Sequence, residues 1–176
     1  MFTKNRIEEQ LKYYQLQLNE EKTRVVYTGT KKAYDKRKHK LSRKFTFLGY
    51  DFKPRIWHEK LVFTPSIGIA ALKKIRHQIK EQWKLKSKIS DSLSNIAREV
   101  DGQIRGWVEY YGHHRRSELY KLAYMIDYYL VRFIKKRSKI NNTLGKAWSR
   151  LLQIKAEYPM TFSHWHKISL SERRAV

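Results

Sequence analysis

The chain of 176 residues contains no cysteine, so disulfides and thiolate metal sites are excluded. Hydrophobic residues make up 41% of the chain, and this fraction excludes a wholly disordered polymer even though the formal net charge is +23. A charge of that size favours a polyanionic partner, which can be nucleic acid, anionic lipid or an acidic protein.

The aromatic content favours RNA among these partners. Five Trp, 12 Tyr and 7 Phe are interleaved with Lys and Arg, and unstacked RNA bases bind to rings while phosphates bind to cations. The alternative is that most of these rings simply form the core. No stretch approaches the roughly 18 apolar residues of a membrane span, and the first residues lack the apolar centre of a signal peptide. We therefore expect a protein of the cytoplasm, or of the equivalent organellar compartment, with no membrane partner.

The first part of the chain predicts one helix followed by a strand. Apolar residues at alternating spacings of four and three predict an amphipathic helix over residues 5–18. Val25 and Val26 then predict a short strand over residues 24–27. Residues 31–44 carry eight Lys and Arg against one Asp. They predict a loop or hairpin that is either a polyanion-seeking arm or only a solvated tip.

Aromatic rings alternate with other residues over residues 45–52, on either side of Gly49. This pattern predicts one strand with a bend or bulge at the glycine. Residues 61–64 are expected to pair with that strand across a turn that contains Pro54. Strand-like patterns stop at Pro65, and every later pattern is helical.

The sequence therefore predicts an α+β protein, with a small helix and β-hairpin unit over residues 1–65 and a mainly α-helical domain over residues 66–176. In the first helix of that domain, apolar and basic residues form two separate stripes. The basic stripe suits phosphate, or serves solubility alone. It consists of Lys73, His77, Lys80 and Lys84.

The stretch over residues 101–124 combines an apolar helical stripe, aromatic rings and cations. Gly112 is predicted to end the helix that carries the stripe. Arg115 and Arg116 follow it, and Ser117 is a suitable cap for a second helix. The two helices are expected to meet at a corner rich in Arg, His and Tyr.

That second helix carries an apolar stripe from Leu119 to Phe133. It ends in Arg132, Lys135 and Lys136, which suit both a helix C-terminus and a nucleic-acid backbone. The last predicted helix covers residues 143–157. Its inward residues are expected to be Leu144, Trp148, Leu151 and Leu152. The rings that follow predict a docking segment over residues 162–165 that packs back onto the body.

Motifs for catalysis are lacking in this sequence. It has no glycine-rich nucleotide loop and no HExxH motif, and its histidines lack the spacing of a metal site. Asp101, Glu109 and Asp127 are interpreted as surface acids that balance nearby cations. With no paired acidic motif for two magnesium ions, we expect no metal, no cofactor and no polymerase or nuclease activity from this chain alone.

Four blocks of the sequence carry a family resemblance: LNEEKT (18–23), FTFLGY (45–50), IRGWVEYYG (104–112) and FSHW (162–165). In this order they resemble the reverse transcriptase/maturase proteins that group II introns encode. The first two blocks resemble the end of the polymerase palm and its primer-grip hairpin, and the last two resemble the maturase-specific domain. The resemblance implies a palm remnant over residues 1–65 and a thumb and maturase domain over residues 66–176.

The resemblance also implies roles for residues. Phe47, Leu48, Gly49 and Tyr50 match the block that positions a primer in the family. The palm blocks with metal-binding aspartates precede LNEEKT in the family, whereas only 17 residues precede it here. The DNA-binding and endonuclease regions of many relatives are also expected to be absent.

The leading hypothesis is an RNA-binding maturase-type domain that binds structured group II intron RNA and assists its folding and splicing, without polymerase activity of its own. Its expected partner is group II intron RNA or another structured RNA. The alternative is a truncated or split fragment of an RNA-directed DNA polymerase, whose partner would be a palm-containing reverse transcriptase polypeptide. A third hypothesis is a decaying fragment with no present function. The candidate RNA-binding residues are Lys73, His77, Lys80, Lys84, Arg105, Tyr110, Arg115, Arg116, Arg132, Lys135 and Lys136.

Overall fold

A computed structural model describes residues 2–29, 41–57, 59–113, 119–138 and 140–172. The elements in chain order are α1 (Phe2–Tyr13), β1 (Phe45–Phe47), β2 (Tyr50–Trp57), β3 (Lys60–Ile67), α2 (Ile69–Gln82), α3 (Leu93–Gly112), α4 (Leu119–Arg137), α5 (Leu144–Glu157) and α6 (Ser163–Glu172). The strands form one sheet in the order β1-β2-β3, and the predicted α+β class is confirmed. Within these ranges, no helix combines the length and the apolar character needed to cross a lipid bilayer.

The chain divides into two compact units. The first unit comprises residues 1–45 and 53–64, and the second comprises residues 46–52 and 65–176. The predicted domain boundary at Pro65 lies inside strand β3, and the two predicted domains stay a prediction.

Helix α1 ends several residues before its predicted end. It stops at Tyr13 because Gln15 adopts a left-handed backbone conformation with a φ of 59°. The amide of Leu16 donates to the carbonyl of Leu11 at 2.8 Å, and the amide of Gln15 donates to the carbonyl of Lys12 at 3.0 Å. These two hydrogen bonds form a Schellman motif, which satisfies the last carbonyls of the helix and turns the chain away.

The strand predicted over residues 24–27 is wrong. Val26 forms only a single bridge with Ser42, and the amide of Tyr27 donates to the Ser42 carbonyl at 2.9 Å. Val25 is exposed. The two valines therefore have β propensity, but no strand among the described residues extends the pairing. Most of the predicted basic loop, residues 30–40, lies outside the described residues.

A tight hairpin replaces the single bent strand predicted over residues 45–52. Strand β1 ends at Phe47 and β2 begins at Tyr50. Between them, Leu48 and Gly49 have φ angles of 46° and 79°. Positive φ at both central residues is the signature of a type I′ turn, whose twist matches that of paired strands. The glycine therefore marks a reversal of the chain rather than a bulge.

Pro54 lies within strand β2, so its predicted place in a turn is also wrong. Strand β1 has three residues, and the two-residue turn lets it cover only the beginning of β2. No strand of the described ranges therefore pairs with that side of β2 at Pro54, and a proline is tolerated in a strand at such an edge. The chain reverses after β2 near Glu59, which has a φ of 60°.

Helix α4 is the centre of the second compact unit, which we call the helical unit. It packs against α2, α3, α5 and α6, and its predicted apolar stripe is confirmed as buried. Leu122, Ile126 and Leu130 are 0% exposed. Burial of each such side chain stabilises the fold by about 1.5–3 kcal/mol. Packing on this stripe therefore sets the positions of the other four helices and the directions in which their polar faces point.

The two helices before α4 follow their predictions. Helix α2 buries Ile75 and Ile79 and leaves the basic stripe exposed. The predicted end of α3 at Gly112 is confirmed. Its beginning is capped by Ser92, whose hydroxyl accepts a hydrogen bond from the amide of Asn95 at 3.1 Å.

The end of the chain departs from prediction in two ways. Leu144 and Leu152 are exposed rather than inward, because α5 turns Ala147 and Leu151 to the core instead. The docking segment over residues 162–165 is buried as predicted, yet it begins a further helix, α6, which was not predicted.

Candidate nucleic-acid interface

A cleft lined by cations lies between the C-terminal ends of α2 and α4. Its volume is about 940 Å³. Glu81 is the one acid among the described residues that line it. We call it the basic cleft, after its cationic lining: Lys80, Lys84, Lys86, Arg132, Lys135 and Lys136.

The inner wall of the basic cleft is apolar. Ile79 and Phe133 are buried there, and Tyr128 and Tyr129 are half-buried. The guanidinium carbon of Arg132 lies 5.8 Å from the centre of the Tyr128 ring, which is a cation–π distance. The cleft thus offers rings on its wall and cations around them, and RNA bases and phosphates bind to these two kinds of group respectively.

The loop between α2 and α3 is tied to the end of α4. The ammonium group of Lys136 donates to the carbonyl of Lys86 at 3.2 Å, and the guanidinium of Arg137 donates to the carbonyl of Asp91. Lys84 begins this loop with a φ of 48°, in the left-handed region. These contacts hold the two walls of the basic cleft together before any ligand binds.

Lys73 and His77 lie on the same exposed face of α2 as Lys80, and Lys84 follows in the loop after the helix. Lys73 and His77 do not line the basic cleft. From Lys73 to Lys80 this face extends for about 10 Å along the helix axis, at a rise of about 1.5 Å per residue. The predicted basic stripe therefore leads along α2 into the basic cleft.

Arg105 lies elsewhere in the helical unit. It lines a second cleft of about 420 Å³ on α3, together with Arg98, Asp101 and Thr161. This second cleft shares no lining residue with the basic cleft. The remaining predicted cations, Arg115 and Arg116, lie outside the described residues.

Tyr110 holds the β1–β2 turn against the end of α3. Its hydroxyl donates to the carbonyl of Leu48 at 2.7 Å, and its own carbonyl accepts from the hydroxyl of Tyr50. The Tyr50 ring centre lies 5.3 Å from that of Tyr110 and 5.4 Å from that of Tyr111. Burial raises the pKa of Tyr50 and of Tyr111, and the neighbouring tyrosines add to this effect. The phenols of Tyr50 and Tyr111 are therefore neutral at neutral pH.

The primer-grip-like residues divide between surface and core. Phe47 and Leu48 are exposed, whereas Tyr50 is buried. A side chain at Gly49 would bring its Cβ within 3.0 Å of the Tyr111 hydroxyl, so this glycine permits the close approach as well as the turn. The ligand role predicted for these residues stays a prediction.

We expect Tyr110→Phe to lower the free energy of unfolding by about 1 kcal/mol, because the Leu48 carbonyl loses its donor while the ring stays in place. Urea denaturation followed by circular dichroism measures this change. Tyr124→Phe is the matched control, since Tyr124 is exposed and its hydroxyl has no hydrogen bond to the described residues. An equal effect of both substitutions would refute the role of the Tyr110 hydroxyl.

The interpretation of three acids as surface charges is confirmed for Glu109, which is exposed and pairs with Lys167, and is wrong for Asp127, which is buried. All three hold α6 to the rest of the helical unit. Asp101 accepts hydrogen bonds from the amide and the hydroxyl of Ser163, both at 2.6 Å. Glu109 forms an ion pair with Lys167 at 2.7 Å, and this ion pair lowers the pKa of Glu109.

Asp127 is the buried member of the three acids. One of its carboxylate oxygens accepts from Nε2 of His164 and from Nε1 of Trp165, each at 2.8 Å. Lys155 approaches the other oxygen at 3.7 Å. Burial raises the pKa of Asp127, but the hydrogen bonds and charges of these partners outweigh it, and the net shift is downward.

A sequence signal for this network was available. Asp127 directly follows Ile126 and stands three residues before Leu130, so it lies beside the apolar stripe of α4. An acid in that position needs buried donors, and the rings and histidine of residues 162–165 supply them. None of the described His, Asp and Glu side chains forms a group of three that could hold a metal ion.

Comparison with models of protein families gives a match to part of the chain. Residues 72–152 match the model of a family described as group II intron, maturase-specific domain. This segment contains every described residue that lines the basic cleft. Neither a curated protein nor a solved structure matched the chain.

Proposed function

We propose that the chain binds structured group II intron RNA through the basic cleft and assists the folding and splicing of that RNA. The premise is that residues 72–152 match the model of the group II intron maturase-specific domain. The observation that carries the proposal is the cleft itself. Cations from two helices meet around rings, within the segment that matches the family. Phosphates would bind at the cations and position the RNA, and unpaired bases would bind at the rings.

The proposed role is binding without polymerase activity. Three acids of the helical unit support this role, because Asp101, Glu109 and Asp127 are engaged with residues of α6. Carboxylates that accept hydrogen bonds from the fold are poor candidates for metal-dependent chemistry, which needs ligands with open positions.

A second candidate function is that of one half of a split reverse transcriptase. The exposed Phe47 and Leu48 favour it, since they stand at the tip of the hairpin that resembles a primer grip. Primer extension on an RNA template distinguishes the two functions. Activity of this chain alone would refute the binding-only proposal, and activity only after a palm-containing reverse transcriptase polypeptide is added would support the split enzyme.

The proposed function is tested by comparing two RNAs of equal length and composition: a folded group II intron RNA and its scrambled sequence. We expect the chain to bind the folded intron RNA at least about tenfold more tightly, because shape positions several phosphates at once. Affinity is measured across a salt series, where a phosphate-dominated contact gives a steep loss of log affinity with log salt. Equal affinity for both RNAs would reduce the chain to a general polyanion binder.

A further inference from the structure

An exposed aromatic stripe continues from the basic cleft along the line where α4 meets α5. Tyr128 and Leu144 belong both to this stripe and to the lining of the cleft, so the two surfaces are continuous. Most of the stripe is exposed or half-buried, which is unusual for a contiguous apolar surface unless it binds something. We call it the aromatic seam: Tyr120, Tyr124 and Tyr128 of α4, with Leu144, Trp148 and Leu152 of α5.

The centre of the aromatic seam is a preformed stacked pair. The ring centres of Tyr124 and Trp148 lie 5.5 Å apart, with an angle of 16° between their planes. Trp148 packs against the core, whereas Tyr124 is 65% exposed. The tyrosine ring is therefore held in one orientation while most of its surface remains available, so little side-chain entropy is lost when a ligand stacks on it.

The charges around the aromatic seam select the class of ligand. Every exposed charged residue on α4 is a cation. Helix α5 carries Lys146, Arg150 and Lys155 against Glu157. Two copies of this surface would repel each other, which disfavours self-association through it. A polyanion with flat apolar groups has both the charge and the shape that this surface complements.

The spacing of the rings distinguishes unpaired RNA from a duplex. Tyr120, Tyr124 and Tyr128 are four residues apart, so successive rings lie about 6 Å apart along the helix axis. Bases stacked in a duplex are separated by about 3.4 Å and present no ring face to the side. Only a strand whose bases are unstacked from each other can place successive bases on successive tyrosine rings of α4.

We propose that the aromatic seam binds a short unpaired RNA strand that leaves the basic cleft, with its bases stacked on Tyr124 and the neighbouring rings. This inference rests on the proposed function, because the strand is part of the same RNA. The cleft holds the phosphates of a structured element, and the seam accepts the nucleotides where pairing stops.

The test uses the full chain and two synthetic RNAs: a fully paired stem and the same stem interrupted by a three-nucleotide bulge. Tyr124→Ala is expected to weaken binding to the bulged stem by about tenfold, since stacking of one base on an aromatic ring is lost, and to leave binding to the paired stem unchanged. Tyr124→Phe keeps the ring and should bind like the unaltered chain. Tyr158→Ala is the matched control, because Tyr158 is a similarly exposed tyrosine of the same unit and lies outside the seam.

Salt dependence separates this inference from the proposed function. Tyr124→Ala removes no charge, so the slope of log affinity against log salt should stay the same. Unchanged affinity of Tyr124→Ala for the bulged stem, with a clear loss when the basic cleft is neutralised, would overturn the seam and leave the proposed function standing. No loss in either variant would overturn both.

Two other results would also reject the seam as an RNA site. Equal weakening for paired and bulged stems by Tyr124→Ala would indicate a general structural effect. RNA-free self-association in sedimentation velocity that Tyr124→Ala abolishes would assign the seam to a second copy of the chain instead.

Discussion

Asp127→Ala is expected to lower the free energy of unfolding by about 3–5 kcal/mol, which is a large share of the stability of a domain of this size. The substitution leaves the Nε1 proton of Trp165 and the Nε2 proton of His164 without an acceptor, and both rings are fully buried. It also removes the charge that attracts Lys155. Guanidinium denaturation followed by tryptophan fluorescence and circular dichroism measures the loss.

The controls for this experiment separate burial from charge. Glu99→Ala removes an acid from an exposed ion pair with Lys88 and should cost less than about 1 kcal/mol. Asp127→Asn keeps one accepting oxygen and the side-chain volume, so its effect should lie between the two alanine variants. A loss for Asp127→Ala no larger than that for Glu99→Ala would refute the anchoring role of this carboxylate.

The same network predicts how stability changes with pH. The pKa of Asp127 is lower in the folded chain than its ordinary value of 3.8. Its contribution to stability is therefore fully present above that value, and it is lost as the pH falls through the lowered pKa of the folded state. Unfolding free energies measured from pH 5 downward should fall less steeply for Asp127→Asn than for the unaltered chain.

How much of the fold could be predicted depends on whether the signal was local. Apolar residues at helical spacing were enough to predict α2, α3 and α4. Ile79, Ile104 and Leu130 belong to such stripes, and all three are buried. The end of α1 was not predictable in this way. It depends on the left-handed Gln15, a residue type with no marked preference for that conformation.

The hairpin shows the same limit. The alternating rings indicated strand conformation, but the type I′ turn needs positive φ at Leu48 as well as at Gly49, and leucine rarely adopts it. A tertiary contact stabilises the turn, because the hydroxyl of Tyr110 donates a hydrogen bond to the Leu48 carbonyl. A residue more than sixty positions away in the chain is invisible to a local pattern.

The sequence was enough to predict which cations could bind RNA, but not which of them lie together in one cleft. Exposed Lys and Arg are visible in the sequence, but only the packing of α2 on α4 brings Lys84 and Arg132 to one cleft and leaves Arg105 at another. Asp127 was misread for a related reason. Its partners His164 and Trp165 lie on α6, a helix that was not predicted from the sequence.

The basic cleft is expected to fail as an RNA site when three of its cations are neutralised together. Lys84→Ala, Arg132→Ala and Lys135→Ala are combined, because these side chains are exposed and line the cleft. Affinity for folded group II intron RNA should fall by on the order of 100-fold or more, since each hydrogen bond between charged groups contributes about 1.5 kcal/mol. The slope of log affinity against log salt should decrease by about 2–3, one phosphate contact for each cation removed.

The matched control removes the same charge from a different place. Arg6→Ala, Lys12→Ala and Arg24→Ala are combined in the other compact unit, where all three side chains are exposed. Both triple variants have the same net charge, so a general attraction between a basic chain and RNA would weaken equally in the two. A site at the basic cleft instead requires that the cleft variant alone loses its preference for the folded intron over scrambled RNA. Equal losses in the two variants would leave the cleft with no special role, because the positive field of the whole chain would then account for binding.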